Sequence, residues 1–484
     1  MIASTPMSVD PSRVHSHSGF QEVFERQRSR RRALAKRPAV ERIQTLRRLR
    51  AAIVDRREAL AAAIFEDFRK PAAEVEITEV HPTLEEIDHA ILNLADWMAP
   101  RPVAGTALLA GTRSELRYEP KGVVLVLAPW NYPFNLAVVP LVGAIAAGNC
   151  VILKPSEKTP ATARFLVSLI REVFDECEVA AFDGDAAFAQ SLLELPFDHV
   201  FFTGSGRVGR QVMAAAAKHL ASVTLELGGK SPAIVDRTAD LSAAARAITW
   251  GRLLNAGQTC IAPDHVWVHQ DVEREFLSHL RASVNAFYGP TEEARQQSPD
   301  FARVVDDRSF ARLKDLVERT VAGGANLEIG GRFDPATRYI APTVISGVTR
   351  DSPLMEDEIF GPVLPVLRYR DREEIYAAVD RQGKPLVLYV FARKRKLVDD
   401  VLASISSGGA VINNTLIQWA NPHLPFGGVG ASGVGSYHGV FGFKAFSHER
   451  SVVVQRWFPL TRMLLPPYGA RRRELTGKLI RSLE

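Results

Sequence analysis

The feature that most constrains this chain is a long alternation of short apolar runs with amphipathic segments that have helical spacing. Residues 123–128 form the first run and are apolar throughout, as a parallel strand covered by helices on both faces requires. The alternation continues to about residue 228, passes Gly228-Gly229 and begins again at residue 233. Strands that alternate with helices indicate βαβ units, so the sequence predicts two doubly wound parallel-sheet, Rossmann-like α/β domains.

Other elements flank this alternation. Residues 20–68 predict arginine-rich amphipathic helices, and residues 74–98 predict another helix that is ended by prolines at 100 and 102. Residues 425–435 are rich in glycine and predict a loop. The predicted strands are 113–119, 123–128, 150–153, 178–182, 199–203, 223–227, 233–235, 265–269, 363–369, 386–391, 410–413 and 451–455.

Length, charge and cysteine usage exclude several classes of protein. A chain of 484 residues is too long for one hydrophobic core, and a formal net charge of +5 is too small for a dedicated nucleic-acid binder. The arginines of residues 20–68 have no interleaved aromatic side chains that could stack on bases, so they predict a solvated helical face. The cysteines, Cys150, Cys177 and Cys260, lie far apart without metal-ligand spacing. We therefore expect a reduced, cytoplasmic protein with no disulfide and no bound metal.

The ends of the chain and its apolar runs predict a soluble protein. Residues 1–19 are polar and lack the apolar core of a signal peptide, so they predict a disordered start. The longest apolar run, 136–148, is interrupted by Pro140 and is too short to span a bilayer. The basic tail, 458–484, has apolar residues on one helical face. We expect it to pack or fray, with membrane-surface contact as the alternative.

One cysteine lies where catalytic groups are commonly carried. Residues 253–264 form a glycine-containing connection between a predicted helix and the predicted strand 265–269, and Cys260 lies within it. A thiol in such a loop becomes a covalent catalyst when a base or a dipole beside it favours the thiolate. Most free cysteines are instead small buried apolar residues, and the loop alone leaves both interpretations open.

A glycine motif predicts a dinucleotide site. Residues 204–209, Gly-Ser-Gly-Arg-Val-Gly, follow a predicted strand and open a helix, which is the context that gives GxGxxG its weight. Glycine lets the backbone approach a pyrophosphate, and the helix N-terminus supplies N–H donors. A ribose-binding carboxylate is expected at the end of a neighbouring strand, where Glu226 and Glu157 both qualify. The local pattern does not choose between them.

Seven motifs follow the order found in the aldehyde dehydrogenase superfamily, and the chain resembles that superfamily over about two thirds of its length. The form Pro-Trp-Asn-Tyr-Pro-Phe at 129–134 resembles its class 3 branch, and the stretches 255–264 and 424–433 are most similar to coniferyl aldehyde dehydrogenase. The resemblance implies NAD-dependent oxidation of an aromatic or medium-to-long-chain aldehyde to its acid. The motifs are 129–134, 153–157, 202–205, 225–230, 257–260, 358–362 and 425–428.

The resemblance also implies residue roles. Cys260 would be the nucleophile, Asn131 and the Cys260 N–H would hold the oxyanion, and Glu226 would activate water to hydrolyse the thioester. This moves Glu226 from ribose binding to catalysis and leaves Glu157 for the adenosine ribose, with NAD preferred and NADP possible. The cofactor-binding residues would be Trp130, Lys154, Glu157, Gly204, Ser205, Val208, Glu358 and Phe360. The substrate-pocket residues would be Tyr132, Trp419 and Phe426.

Each role has a structural alternative. Asn131 could be a turn residue, Glu226 a solvated strand end, Glu358 part of an exposed acidic surface and Phe426 an ordinary core residue. Agreement among the motifs favours the functional interpretation. Two rival functions are a relative that passes the acyl group to coenzyme A and a catalytically silent cofactor-binding protein. Glu226 argues against the first, and the intact set of Asn131, Glu226 and Cys260 argues against the second.

The resemblance and the predicted elements together divide the chain into parts. We expect a homodimer, because an exposed late strand at 452–455 is a natural place for the sheet of a second copy to pair. The predicted parts are a disordered N-terminus (1–19), an NAD-binding domain (20–102 and 120–228), a catalytic domain (229–431), a small β bridging and oligomerisation element (103–119 and 446–457) and a basic C-terminal tail (458–484).

Overall fold

The computed structural model describes residues 19–106, 109–457 and 465–481. Most strands of its two larger sheets are buried, which is the pattern of parallel strands covered on both faces. Each strand predicted from the sequence is present, with ends that differ by no more than four residues. The strands are β1 (Arg101–Val103), β2 (Thr112–Pro120), β3 (Val123–Leu127), β4 (Cys150–Lys154), β5 (Val179–Ala181), β6 (His199–Thr203), β7 (Ser222–Glu226), β8 (Pro232–Val235), β9 (His265–His269), β10 (Asn326–Ile329), β11 (Phe333–Asp334), β12 (Tyr339–Ile340), β13 (Thr343–Ser346), β14 (Val363–Tyr369), β15 (Val387–Phe391), β16 (Gly409–Ile412), β17 (Gly433–Val434) and β18 (Ser447–Gln455).

Helices cover the sheets and fill the connections between strands. The segment 74–98, predicted as one helix, contains a π-helical turn at Glu76–Val80 between two α-helices. A turn with left-handed backbone at Asn255 and Ala256 spans Leu254–Gly257, before Cys260, and a short 3₁₀ turn lies at Ile417–Ala420. The α-helices are α1 (Phe20–Ala35), α2 (Ala39–Asp55), α3 (Arg57–Phe68), α4 (Ala72–Val75), α5 (His81–Met98), α6 (Asn135–Ala147), α7 (Pro160–Val173), α8 (Ala186–Leu193), α9 (Gly206–Ala217), α10 (Leu241–Leu253), α11 (Glu273–Tyr288), α12 (Glu292–Gln297), α13 (Asp307–Ala322), α14 (Glu373–Gln382), α15 (Arg395–Ser404), α16 (Gly439–Ala445) and α17 (Ala470–Arg481).

The first sheet has the strand order β17-β7-β6-β3-β4-β5, and its strands β3 to β7 run parallel. Alternate residues of β3 face two different cores. Val124 and Val126 pack in the core that contains residues of α5 and α6, whereas Val123 and Leu125 pack in the core that contains residues of α1 and α8. Helices therefore cover both faces of this sheet, which confirms the predicted doubly wound arrangement.

The glycine-rich segment 425–435 is not entirely a loop, contrary to the prediction. Gly433 and Val434 form β17 and pair antiparallel with β7, with Gly433 opposite Glu226. A Cβ on Gly433 would lie 2.5 Å from the Leu225 carbonyl oxygen, so the approach of the two backbones requires glycine. The prediction took every glycine here as a turn residue, and glycine also serves where two backbones pack closely.

The second sheet has the order β10-β13-β14-β9-β8-β15-β16 and is parallel except for β10, an antiparallel strand at one edge. Ala233 and Val235 of β8 face one core, and Ile234 faces the other. The sequence did not predict β10 and β13. Each has only four residues, which is too short for an alternation of polar and apolar side chains to stand out.

A third sheet consists of the antiparallel strands β1, β2 and β18. Strand β18 begins at Ser447, not at residue 451 as predicted, and forms an edge of the sheet. Arg101 and Pro102, which the predicted division placed with the NAD-binding domain, lie in this sheet as part of β1. Val453 and Val454 of β18 are exposed although they are adjacent and point to opposite faces.

The predictions for the ends of the chain lie partly outside the described residues. Of the segment 1–19, only Gly19 is described, so the predicted disorder is not addressed there. Of the tail 458–484, the described part is 465–481, which contains α17. Within the described residues, no helix combines the length and the apolar character needed to cross a membrane.

Candidate active site

A cavity of about 950 Å³ lies at the carboxyl ends of β3, β4, β6 and β7. Each strand contributes its last residue to the wall. Open parallel sheets bind their ligands in this position, beyond the carboxyl ends of the strands. The wall also brings together every residue that the sequence predicted as catalytic or cofactor-binding: Trp130, Asn131, Lys154, Glu157, Gly204, Ser205, Val208, Glu226, Cys260, Glu358 and Phe360.

The predicted pyrophosphate site is the start of α9. Ser205 caps this helix, and its hydroxyl accepts a hydrogen bond from the Val208 N–H at 3.5 Å. The first turn carries no acidic side chain that would compete with an anion. At Gly204 a Cβ would lie 2.5 Å from the Phe202 ring, so any larger residue would have to displace that ring. The N-terminus of α9 therefore faces the cavity with the donors and the dipole that suit a pyrophosphate.

Lys154 and Glu157 form a pair on the same wall. Lys154 ends β4 with a buried side chain, and its Nζ donates to Glu157 Oε2 at 2.7 Å. Partial burial opposes ionisation of Glu157, but the hydrogen bond from Lys154, a backbone hydrogen bond and the charges of Lys154 and Lys158 together outweigh it and lower the pKa of Glu157. Glu157 is 45% exposed, so its carboxylate is both ionised and accessible to a ribose hydroxyl.

Trp130 and Phe360 form an aromatic wall in the same cavity. Their ring centroids are 5.3 Å apart, with an interplanar angle of 75°. Phe360 has φ +54°, a left-handed conformation that non-glycine residues rarely adopt. Such backbone strain persists where the surrounding structure fixes it, and it is concentrated at functional sites. The two rings offer an apolar contact for a planar ligand.

Glu358 lies at the end of a segment tied to the Cys260 loop. Lys230 and Asp264 form a buried ion pair, and Lys230 Nζ also donates to the Leu354 carbonyl at 2.9 Å. Asp264 accepts from the Ile359 N–H at 2.9 Å. Burial, reinforced by the negative charge of Asp264, raises the pKa of Glu358 to about 8. The sequence placed Lys230 and Asp264 in or beside motifs but predicted no role for either.

Glu226 is a buried carboxyl group in the wall of the larger cavity. It ends β7, is 3% exposed, and neither carboxyl oxygen has a hydrogen-bond partner among the described residues. Burial raises the pKa of Glu226 well above its ordinary value. Buried polar groups are nearly always paired, so an unpaired carboxyl in the wall of a cavity indicates a site for a water molecule or a ligand.

The residues before Cys260 form a strained turn. Asn255, Ala256 and Gly257 have φ values of +55°, +51° and +73°. A Cβ on Gly257 would lie 2.2 Å from the Gly361 carbonyl oxygen. Two consecutive non-glycine residues in the left-handed region are uncommon and need external contacts to hold them.

Gln258 and Asn131 supply such contacts. The Gln258 side chain donates to the carbonyls of Asn255 and Arg303, both at 3.0 Å, and accepts from the Val305 N–H at 2.9 Å. The Asn131 side-chain amide donates to the Gln258 carbonyl at 3.1 Å. Asn131, the predicted oxyanion donor, is therefore fixed against the loop that carries Cys260. The contacts of Gln258 were not predicted.

A second cavity, of about 50 Å³, also reaches Cys260. It contains all three predicted substrate-pocket residues, Tyr132, Trp419 and Phe426. Among the described residues, Cys260 is the one that lines both cavities. The sequence did not predict the rest of this wall, because its residues come from separate segments that no local pattern connects. They are Thr78, Asn135, Leu136, Leu254, Thr259, Ile261, Leu416, Tyr437 and His438.

The three thiols have different surroundings. Burial and the carboxyl groups of Glu358 and Glu226 raise the pKa of Cys260, so its resting thiol is neutral and needs a base to become a nucleophile. Burial raises the pKa of Cys150 to about 12 and that of Cys177 to about 11. Neither of these two cysteines lines either cavity.

Sequence comparisons agree with this arrangement. The Aldehyde dehydrogenase family matches residues 15–452. AldX of Bacillus subtilis (strain 168) is 46% identical over 436 residues, which are 90% of this chain and 98% of AldX. The dimeric NADP-preferring aldehyde dehydrogenase of Rattus norvegicus is 43% identical over 414 residues, 86% and 90% of the two chains. Aldehyde dehydrogenase family 3 member B2 of Mus musculus is 40% identical over 474 residues, 98% and 96% of the two chains.

A solved structure shares the whole fold. The substrate-bound state of Staphylococcus aureus AldH superposes with a TM-score of 0.91 at 40% identity, and covers 95% of this chain and 99% of that one. The class 3-like branch inferred from residues 129–134 is confirmed by the family 3 relative. All seven motifs and both large sheets lie inside the matched region. The chain therefore belongs to the aldehyde dehydrogenase family, whose members oxidise aldehydes with NAD or NADP.

Proposed function

We propose that this protein oxidises an aldehyde to the carboxylic acid through a thiohemiacetal and then a thioester on Cys260. The observation that carries the proposal is the position of Cys260, which lines both the large cavity and the small one. The larger has room for a dinucleotide, and the smaller is lined mainly by apolar and aromatic side chains. A nucleophile common to both can hold a carbonyl carbon between the hydride acceptor and the apolar substituent.

In the first half of the reaction, Cys260 Sγ adds to the carbonyl carbon. Glu226 is the carboxyl group placed to take the thiol proton, because it lines the same cavity and has no hydrogen-bond partner among the described residues. The Asn131 side-chain amide and the Cys260 N–H would donate to the oxyanion, and one such donor is typically worth about 3 kcal/mol. NAD or NADP, when bound in the larger cavity, would supply the hydride acceptor that the conversion of this carbon to a thioester requires.

Glu226 then releases the thiol proton to solvent. In the second half, the ionised Glu226 takes a proton from a water molecule whose oxygen attacks the thioester carbonyl. The C–S bond breaks, the acid leaves, and the Cys260 sulfur takes back a proton. Both unpaired oxygens of Glu226 support this role, since they can accept from water without breaking a protein hydrogen bond. A base for hydrolysis argues against acyl transfer to coenzyme A, and the complete residue set argues against a silent cofactor-binding protein.

The cofactor would occupy the larger cavity, which has a suitable volume and lies at the carboxyl ends of the strands. The start of α9, which Ser205 caps and which has no acidic residue in its first turn, also suits the cofactor's pyrophosphate. NAD is the proposed preference, because an ionised Glu157 can accept from both ribose hydroxyls. The proposed contacts are Gly204, Ser205 and Val208 for the pyrophosphate, Lys154 and Glu157 for the adenosine ribose, and Trp130, Glu358 and Phe360 for the nicotinamide riboside.

The proposed substrate is an aromatic or conjugated aldehyde of the coniferyl type, with a medium-to-long-chain aldehyde as the alternative. Tyr132, Trp419 and Phe426 support this choice, because flat rings in a narrow cavity favour planar or linear substituents. The Tyr132 hydroxyl is already engaged, 2.6 Å from Thr259 Oγ1, so it presents its ring rather than its polar end.

We further propose a cytoplasmic homodimer in which 20–102 and 120–228 bind NAD and 229–431 supplies the nucleophile. The third sheet would join the two copies. Strand β18 supports this, because Val453 and Val454 are exposed on an edge strand that a second copy could extend. The rat relative is named as dimeric, which agrees with the proposal.

The test of the proposed function is Cys260→Ala. We expect loss of aldehyde oxidation with NAD binding retained, because the methyl side chain leaves the larger cavity open but removes the nucleophile. Cys177→Ala is the matched control, since that thiol is partly exposed and lines neither cavity. Appreciable turnover by Cys260→Ala, or loss of turnover in the control, would contradict the assignment.

A further inference from the structure

We infer that Glu74 is a positioning residue for this reaction, holding the strained turn before Cys260 and, through Asn255, the backbone of Asn131. The inference rests on the proposed roles of Cys260 and Asn131. Glu74 lies on α4, outside every motif, two residues before the start of the π-helical turn Glu76–Val80. π-Helical turns are rare and occur frequently at functional sites.

The first contact is between Glu74 and the turn itself. Glu74 Oε2 accepts a hydrogen bond from the Asn255 N–H at 3.0 Å. Asn255 is the first of the three consecutive residues with positive φ that follow α10 and precede Gln258. Since a left-handed asparagine followed by a left-handed alanine is strained, a partner that binds the Asn255 N–H stabilises the whole turn.

Asn255 connects this contact to the oxyanion site. Its side-chain amide donates to the Asn131 carbonyl at 2.8 Å and to the Gln258 carbonyl at 3.2 Å. Asn131 in turn donates its own amide to the Gln258 carbonyl at 3.1 Å. A movement of Asn255 would therefore shift both proposed oxyanion donors, the Asn131 amide and the Cys260 N–H.

A second contact joins the same segment to the loop. Lys70 is fully buried, lies 2.9 Å from Glu79 Oε1, and has its Nζ 4.0 Å from the centre of the Tyr132 ring. The Tyr132 hydroxyl is 2.6 Å from Thr259 Oγ1. Glu74 thus contacts the loop directly at Asn255, and Lys70 contacts it through Tyr132 at Thr259, on the other side of Gln258.

The charge of Glu74 depends on pH in the physiological range. Burial raises the pKa of Glu74 to about 7. The positive charge of Lys70 lowers this pKa, and the negative charge of Asp300 raises it. Tyr132 and Tyr288 also face Glu74 and are neutral, since burial raises both of their pKa values. Hydrogen bonds to an ionised acceptor are stronger than those to a neutral one. The hold on Asn255 therefore strengthens as pH rises through about 7.

The experiment measures the rate of the first NADH burst, which reports acylation, in Glu74→Ala, Glu74→Gln and the control Glu76→Gln. Glu76 lies two residues away, is 42% exposed and pairs with Arg57 at 3.4 Å, so it does not touch the loop. We expect Glu74→Ala to slow the burst about tenfold, the rate equivalent of one hydrogen bond to a charged group. Glu74→Gln should reduce the burst rate less than Glu74→Ala does, and its burst rate should rise less through about pH 7 than that of the wild type. NAD affinity should be unchanged in all three variants.

A normal burst rate in Glu74→Ala overturns the inference. The inference is also overturned if the burst velocity per total protein falls only as much as the folded fraction measured by circular dichroism. In that case the rate per folded molecule is unchanged, as expected for a purely structural role. The outcome is distinct from that of the proposed function. If Cys260→Ala is inactive and Glu74→Ala is normal, only the inference about Glu74 fails, whereas an active Cys260→Ala contradicts the nucleophile itself.

Discussion

Gly228 lies directly against the carboxyl group of Glu358, and a Cβ on Gly228 would be 2.0 Å from Glu358 Oε2. The two residues are far apart in sequence, but both line the larger cavity. Glu356 and Asp357 are exposed, whereas Glu358 turns inward and is only partly exposed. Because Gly228 has no side chain, the Glu358 carboxyl group can lie beside it in the wall of the larger cavity.

Gly228→Ala should displace this carboxyl and weaken cofactor binding, because the added methyl group and Glu358 Oε2 cannot occupy the same space. We expect a higher dissociation constant for NAD and a lower kcat, measured by fluorescence titration and NADH formation. In a Glu358→Ala background, Gly228→Ala should change the NAD dissociation constant and kcat little further, because the carboxyl group with which the methyl group would clash is absent. Full additivity of the two effects would show that Gly228 does not act through Glu358.

Glu226→Gln should separate the two halves of the reaction. If Glu226 activates water, the steady-state rate falls while a single burst of NADH remains, and the burst shrinks to the extent that Glu226 also deprotonates Cys260. Burial raises the pKa of Glu226, and a base acts only above its pKa, so wild-type turnover should rise with pH and the variant should lack this rise. Normal turnover with weak NAD binding would instead assign Glu226 to the ribose.

The aldehyde preference can be read from kcat/KM. We expect coniferaldehyde to exceed acetaldehyde, because burying a ring against Trp419 and Phe426 contributes more than burying a methyl group. Phe426→Leu should reduce that advantage, since its ring packs edge-on to Tyr437 at 5.6 Å and both line the small cavity. Acetaldehyde as the better substrate, or a medium-chain aldehyde that exceeds coniferaldehyde, would contradict the aromatic assignment.

Sequence patterns predicted the elements that repeat and the residues that lie within motifs. The strands β3, β4 and β6 carry continuous apolar runs, and Ser205 follows a strand and caps a helix, so each has a local signature. The motifs also contain the catalytic and cofactor-binding residues predicted for the wall of the larger cavity, and parallel strands bring several of them together at one edge.

Contacts between segments that are far apart in the chain have no local sequence pattern from which they could be predicted. Glu74 meets Asn255 across 181 positions, and the Gln258 side chain binds backbone groups near residue 304. These bonds join single side chains to backbone groups, which any sequence supplies, so neither spacing nor composition records them. The antiparallel pairing of Gly433 with β7 was not predicted for a related reason. The pairing requires a residue without a side chain at position 433, and a glycine there also suits a loop.

The last prediction is a moderate preference for NAD over NADP, which depends on Glu157. A 2′-phosphate next to this ionised carboxylate would place two negative charges about 4 Å apart, a repulsion of roughly 4 kcal/mol at an effective dielectric constant near 20. That figure is an upper bound, because Glu157 is 45% exposed and solvent screens it. Lys154 acts in the opposite direction. Its ammonium lies 2.7 Å from Glu157 Oε2 and could bind the phosphate if the carboxylate turned away.

Glu157→Gln should therefore reduce the preference for NAD. It should weaken the binding of the NAD ribose and remove the repulsion of the NADP 2′-phosphate, as judged by kcat/KM for both cofactors. Glu194→Gln is the matched control: it removes a carboxylate from the wall of the same cavity, but one that is 66% exposed and paired with Lys218. Its loss should change the cofactor ratio little, because an exposed ion pair is screened and contributes little. Equal use of the two cofactors by the wild type, or the same ratio in Glu157→Gln, would mean that Glu157 does not contact the ribose.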